Sequence, residues 1–231
     1  MKAFHNDPAL KEQILAQLQA HYDADEIIKG VYWEKGKGCA VGCTVHSRSH
    51  KSYETELGIP EPLAHLEDNI FERLQNNTAK IWPLRFIRAI SVGSDLSKVW
   101  PKFVAFILTD PEHGVLQYAQ TDEQKEIIQD VADLYSAERK IYKKEWENAS
   151  IGAKLIYLDA FRAIDDADCP IDNFFARAAY NACFTAYNAV NHEAHNNPKT
   201  SFTNLISGFF SYPKYYRALA DKLIDLLSAC K

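Results

Sequence analysis

Apolar residues recur at three- and four-residue spacing along most of this chain, and that periodicity restricts its fold more than any other feature. Asp7-Pro8 reads as an N-cap followed by proline at the first helical position, and Leu10, Ile14, Leu15 and Leu18 then keep helical register. Over residues 60–74, Leu63, Leu66, Ile70, Phe71 and Leu74 are expected to point inward, with Glu67, Asp68, Glu72 and Arg73 outward. Thr121 and Gln124 have the spacing of a capping box ahead of Ile127, Ile128, Val131, Leu134 and Tyr135. Further starts are expected at Ser150, at Asp172 as a cap, and at Pro213. Ala178, Ala179, Ala182, Cys183, Ala186, Ala189 and Val190 trace a wide face of small residues after Phe174 and Phe175. The pattern predicts eight to ten helices, no series of alternating strands, and an all-α class.

Length sets the domain expectation. A chain of 231 residues with 47% hydrophobic and 25% charged residues buries roughly 70% of its unfolded surface, so one domain spanning residues 1–231 is expected. Lys80-Ile81-Trp82-Pro83 returns as Lys98-Val99-Trp100-Pro101. Proline is tolerated in a helix's first turn, where its missing N–H has no intrahelical partner, so the echo predicts two helices that begin alike. The five cysteines, Cys39, Cys43, Cys169, Cys183 and Cys230, are an odd number in a chain large enough to need no staples, which suggests a reducing compartment. No apolar run follows the start, and the uncharged stretches 178–192 and 200–213 are too short or too polar to span a bilayer. The expectation is a soluble cytoplasmic protein with no membrane partner.

One segment departs from this background. Gly30, Gly36, Gly38 and Gly42 are four of the nine glycines, and Cys39 and Cys43 lie among them. Residues 27–53 carry Lys29, Lys35, Lys37, Arg48 and Lys51 against Glu34 alone, in a chain of formal net charge −5. A basic glycine-rich loop from about Gly30 to His50 supports three chemistries. The first is anion binding: glycines let successive N–H groups converge, and a helix starting near Gly38 would add its positive end. Lys35, Lys37, Gly38 and Cys39 are the candidate ligand-binding residues, although the glycine spacing matches neither a P-loop nor a dinucleotide fingerprint. The second is thiol chemistry, with Cys39 as candidate nucleophile because a helix N-terminus beside lysines lowers a thiol pKa. Its base would come from elsewhere, for instance His113, His192 or His195, since His46 lies two helical turns away. The third is a metal. Cys39, Cys43, His46 and His50 fall on one stripe if the helix runs on, but they would span about 16 Å. At most an adjacent pair could then share an ion, with His46 and His50 at i, i+4 the best, and Ser47 stands where a zinc protease carries its glutamate. No metal is expected, with His46 and His50 as the candidates should one bind; otherwise the cofactor is unknown.

Weaker patterns have plainer explanations. Asp165, Asp166, Asp168 and Asp172 suit an interhelix loop better than a magnesium site. His192 and His195 suit a helix C-terminus. Phe202, Phe209, Phe210, Tyr212, Tyr215 and Tyr216 suit core plus a docking patch. One basic loop in an acidic chain is a small footprint for nucleic acid, so none is expected as a partner.

The run Gly36-Lys37-Gly38-Cys39-Ala40-Val41-Gly42-Cys43-Thr44-Val45-His46 is followed by Leu57-Gly58-Ile59-Pro60 and Leu66-Glu67-Asp68-Asn69-Ile70-Phe71-Glu72. Together with Trp100-Pro101 and Asp110-Pro111-Glu112-His113-Gly114, it resembles a family of uncharacterised proteins from bacteria and their phages. The likeness covers residues 30–116. It implies no activity and no catalytic roles. The expected function is binding of a small anionic ligand or an acidic protein surface by the segment from Gly30 to His50. The alternatives are a cysteine- or metal-dependent hydrolase and a structural or assembly protein.

Overall fold

The computed structural model describes residues 1–165, 170–195 and 213–231. Helices account for nearly all of their regular structure, in agreement with the all-α class, and the one sheet among them has two short strands. The residues group into two compact units: Met1–Trp100 with Tyr212–Lys231, and Pro101–Ser211. Among the described residues no helix is long and apolar enough to cross a membrane.

In the first unit, α1 (Pro8–Asp23) begins as its sequence indicates. Asp7 caps it, its Oδ1 accepting from the Ala9 N–H at 2.9 Å, with Pro8 in the first turn. The hairpin strands β1 (Trp33–Glu34) and β2 (Lys37–Gly38) follow, then the short helices α2 (Ala40–Val45) and α3 (Ser52–Leu57). Helix α4 (Glu61–Arg73) buries Leu63, Leu66, Ile70 and Phe71 as its periodicity requires. It also buries Glu67, which the pattern placed outward; Tyr53 of α3 reaches across and donates a hydrogen bond to that carboxyl.

Helix α5 (Asn76–Ala89) contains Pro83 in its interior rather than at its start. The echo therefore does not mark two similar beginnings: α5 starts seven residues before Pro83, whereas Pro101 lies in the first turn of α6 (Val99–Thr109). Burial holds Trp82 in place, and its Nε1–H donates to the Glu67 carbonyl at 3.0 Å. Helix α10 (Pro213–Ser228) completes the unit with Leu219, Leu223 and Leu227 buried at four-residue spacing, and with Asp221 paired to Arg85 at 2.9 Å.

The second unit contains α7 (Asp122–Ser136), α8 (Lys143–Asp165) and α9 (Pro170–His195). The capping box of α7 forms as expected: the Gln124 N–H donates to Thr121 Oγ1 at 3.1 Å and the Gln124 side chain accepts in return from the Thr121 N–H. Helix α8 begins at Lys143, ahead of Ser150, and α9 begins at Pro170, so Asp172 lies inside that helix. Ala179, Ala182, Cys183, Ala186, Ala189 and Val190 are buried, the small face read from the sequence. Tyr157 of α8 meets Tyr180, Phe184 and Tyr187 of α9 at 5.4, 5.4 and 5.3 Å between ring centroids. Asp166, Asp168, Cys169, Phe202, Phe209, Phe210 and Tyr212 lie outside the described residues, as do the side chains of Asp165, Asp172, His192 and His195.

Candidate functional site

The glycine-rich segment folds as a hairpin plugged into a helix. Trp33 pairs with Gly38 and Glu34 with Lys37, antiparallel, and the two-residue turn between them is Lys35 (φ +52) and Gly36 (φ +81). Two positive φ angles are what a tight hairpin requires for its twist, and Gly36 supplies one without strain. Gly38 and Gly42 serve a different purpose. A Cβ on either would lie 2.2 or 1.5 Å from the carbonyl oxygen of Tyr32, so glycine at both positions lets α2 press against the incoming chain.

That packing consumes the amides on which backbone anion binding would depend. The Gly38 N–H donates to the Glu26 carbonyl at 3.1 Å, and the Cys39 N–H donates to Val31 O at 2.6 Å and Tyr32 O at 3.2 Å. Gly38 and Cys39 are both buried and have no N–H left for a ligand. Lys35 and Lys37 stand at the exposed hairpin tip. The Lys35 side chain is 89% exposed and its nearest acid, Glu34, is 3.9 Å away. Lys37 makes no ion pair within 4 Å among the described residues. Arg48 is exposed too, and its Nε–H donates to the Trp33 carbonyl at 3.3 Å, which ties the following loop to the hairpin.

Cys39 occupies the N-cap position of α2 but its side chain makes no capping hydrogen bond, although the nearby Val41 and Gly42 N–H groups favour thiolate. Burial outweighs them, and the nearby Asp68 carboxylate adds to the opposition, so the thiol is pushed well up instead of down. At 2% exposure Cys39 is a packed thiol and not an activated nucleophile. Cys43 donates to the Gly38 carbonyl at 3.3 Å, and burial pushes it up to about 12.

The single helical stripe through Cys39, Cys43, His46 and His50 does not form. Helix α2 ends at Val45, and His46 adopts a left-handed conformation (φ 48, ψ 38) that turns the chain away. From α1, Gln17 Nε2 donates to the carbonyls of Cys43 and Thr44 at 2.9 and 2.8 Å, satisfying that helix end. The two histidines then join different clusters. His50 Nε2 lies 3.2 Å from Asp68 Oδ2 and its ring stacks on His65 at 3.9 Å, with the Tyr32 ring edge-on to it at 5.7 Å. Asp68 therefore meets His50 directly, and its charge also opposes ionisation of Cys39.

His46 meets His21 of α1, Nε2 to Nε2 at 2.8 Å, while His21 Nδ1 lies 2.6 Å from Glu26 Oε2. Trp33 stacks on His46 at 4.3 Å with 14° between planes, and meets His21 edge-on at 5.4 Å. Partial burial and the neighbouring His21 lower the His46 pKa, so the ring is neutral around pH 7. His21 and Glu26 carry no motif, and α1 gives no sequence sign that its last turn faces a residue 25 positions later. Among the described residues no group of three or more His, Cys, Asp or Glu side chains is arranged to hold a metal. No protein-family model, curated protein or solved structure matches the chain.

Proposed function

We propose that the exposed face of the hairpin and the 46–50 loop binds an anionic group, on a small ligand or on an acidic protein surface, through side chains rather than backbone amides. The observation that carries this reading is the exposure of Lys35 and Lys37 on a hairpin anchored by the Gly38–Cys39 junction, with Arg48 bonded to the same hairpin at Trp33 and without a strong acidic partner for any of the three. Cations held at fixed positions have little rotational freedom of the backbone to lose on binding, and Arg48 offers the planar fork that suits carboxylate and phosphate. The test is ligand-induced thermal shift across a panel of phosphates and carboxylates, compared with Lys35→Glu/Lys37→Glu. Both side chains are exposed, so the double variant should fold and lose the response; an unchanged response would refute the reading.

Assembly is a second reading with an observation of its own. Ile151, Leu155, Leu158 and Phe161 lie exposed along α8 at helical spacing, at 63, 55, 36 and 47%. Leu155→Lys should abolish any self-association seen by light scattering, and a wild-type protein that is monomeric at all concentrations removes this reading.

A further inference from the structure

We infer that His21 and His46 form a two-histidine site for a divalent transition-metal ion, with Glu26 orienting His21 from behind. Two imidazole Nε2 atoms face each other at 2.8 Å, drawn from elements 25 residues apart, and the contact lies at the surface where an ion can reach it. A carboxylate at 2.6 Å holds the proton on His21 Nδ1, which leaves His21 Nε2 with its lone pair directed at His46. That carboxylate–histidine arrangement is the outer-shell support seen behind metal-bound imidazoles, where it fixes the tautomer and raises ligand basicity.

Distance and tautomer both permit the exchange of a hydrogen bond for a metal. Two nitrogens at about 2.0–2.1 Å from a tetrahedral ion stand roughly 3.4 Å apart, so the rings need to separate by only about 0.6 Å. His46 is exposed at the C-cap of α2, and Trp33 stacked against it keeps the ring plane set. In the metal-free pair His46 Nε2 carries the shared proton; moving it to Nδ1, which water can hydrate, frees the second lone pair. No net proton is lost, because the proton passes from one nitrogen of His46 to the other. Imidazole donors select zinc, nickel, copper or cobalt over magnesium and calcium. Two protein nitrogens leave the remaining coordination positions to water, and the site needs no ligand at Lys35 or Lys37.

The pair differs from the i, i+4 combination that the spacing suggests, since the turn at His46 directs His50 to Asp68 instead. The experiment is calorimetric titration of the tag-free, full-length protein with Zn²⁺ at pH 7.5. One equivalent should bind in the micromolar range, and the same titration at pH 5 should show weaker binding as protons compete with the ion for ligand lone pairs. His46→Gln and His21→Gln should each abolish the site, Glu26→Gln should weaken it roughly 10–100-fold, and His113→Gln should leave it intact. Circular dichroism of each variant separates loss of the site from loss of the fold. Absence of Zn²⁺ binding by the wild-type protein overturns the assignment. So does a folded His50→Gln variant that loses as much affinity as His46→Gln, which would place the ion in the His50–Asp68 cluster. Failure of Lys35→Glu/Lys37→Glu to alter the phosphate and carboxylate response bears on the anion reading alone.

Discussion

Replacing Gly42 by alanine tests whether the hairpin-on-helix junction is built as described. The added methyl carbon would sit 1.5 Å from the Tyr32 carbonyl oxygen and 2.7 Å from its carbon. A carbon and a carbonyl oxygen approach comfortably at about 3.3 Å, so α2 and the chain at Tyr32 must part by roughly 1.8 Å. The contacting atoms are backbone, which no rotamer change can move aside. Overpacking of this kind costs about 1–3 kcal/mol. Parting the two elements also breaks the buried Cys39 N–H bonds to Val31 and Tyr32, and an orphaned donor costs about 1–3 kcal/mol more. Alanine recovers about 1 kcal/mol through its better helix propensity. The expected net loss is about 1–5 kcal/mol, read as a lower midpoint in urea denaturation at unchanged slope. Gly36→Asn is the matched control: that position has open space, and its left-handed φ of +81 strains asparagine less than other side chains, so the midpoint should fall far less than in Gly42→Ala. A Gly42→Ala protein as stable as wild type would refute the close approach of α2 to Tyr32 and with it the reason for glycine there.

Three further outcomes follow from the same structure. Burial raises the Glu67 pKa well above the ordinary carboxyl range, so the stability its neutral form contributes is present below that range and is lost as pH rises through the raised value. Glu67→Gln should therefore flatten the decline of Tm on the alkaline side of pH 5; an identical pH profile in both proteins would show that the carboxyl is not held neutral. Cys39, Cys43 and Cys183 are buried with raised thiol pKa values, whereas Cys230 is partly exposed. Site-resolved alkylation of the native protein at pH 7.5 should label Cys230 well before these three, and early modification of Cys39 would overturn its description as packed. Thr121→Ala removes one half of the α7 capping box and should destabilise by about 1 kcal/mol in chemical denaturation; no change would show that the cap is not formed in solution.

Helices were legible wherever the apolar period was long and its termini carried their own chemistry, as at Asp7-Pro8 and Thr121–Gln124. Each is a local property: capping groups and same-face neighbours lie within a turn or two of one another. Where the reading failed, a distant residue had changed the environment. Glu67 belongs to the polar face of α4 by period alone, and it is buried because Tyr53, fourteen positions earlier, supplies a donor inside the core. Pro83 resembles a helix start and lies mid-helix, in a turn whose neighbour Trp82 is fully buried against α4.

The basic segment draws the same line at closer range. By itself the sequence determined that the chain is helical and that glycine, lysine, cysteine and histidine concentrate between Gly30 and His50. It could not assign those residues their roles, because glycine has the same letter whether it opens a turn, as Gly36 does, or admits a neighbouring carbonyl, as Gly42 does. Only tertiary structure decided that the Gly38 and Cys39 amides are spent on Glu26, Val31 and Tyr32, that Cys39 is sealed inside, and that His46 faces His21 rather than His50. The physical reason is that hydrogen-bond partners, desolvation and the meeting of two imidazoles are set by distance in space, while periodicity reports only distance along the chain.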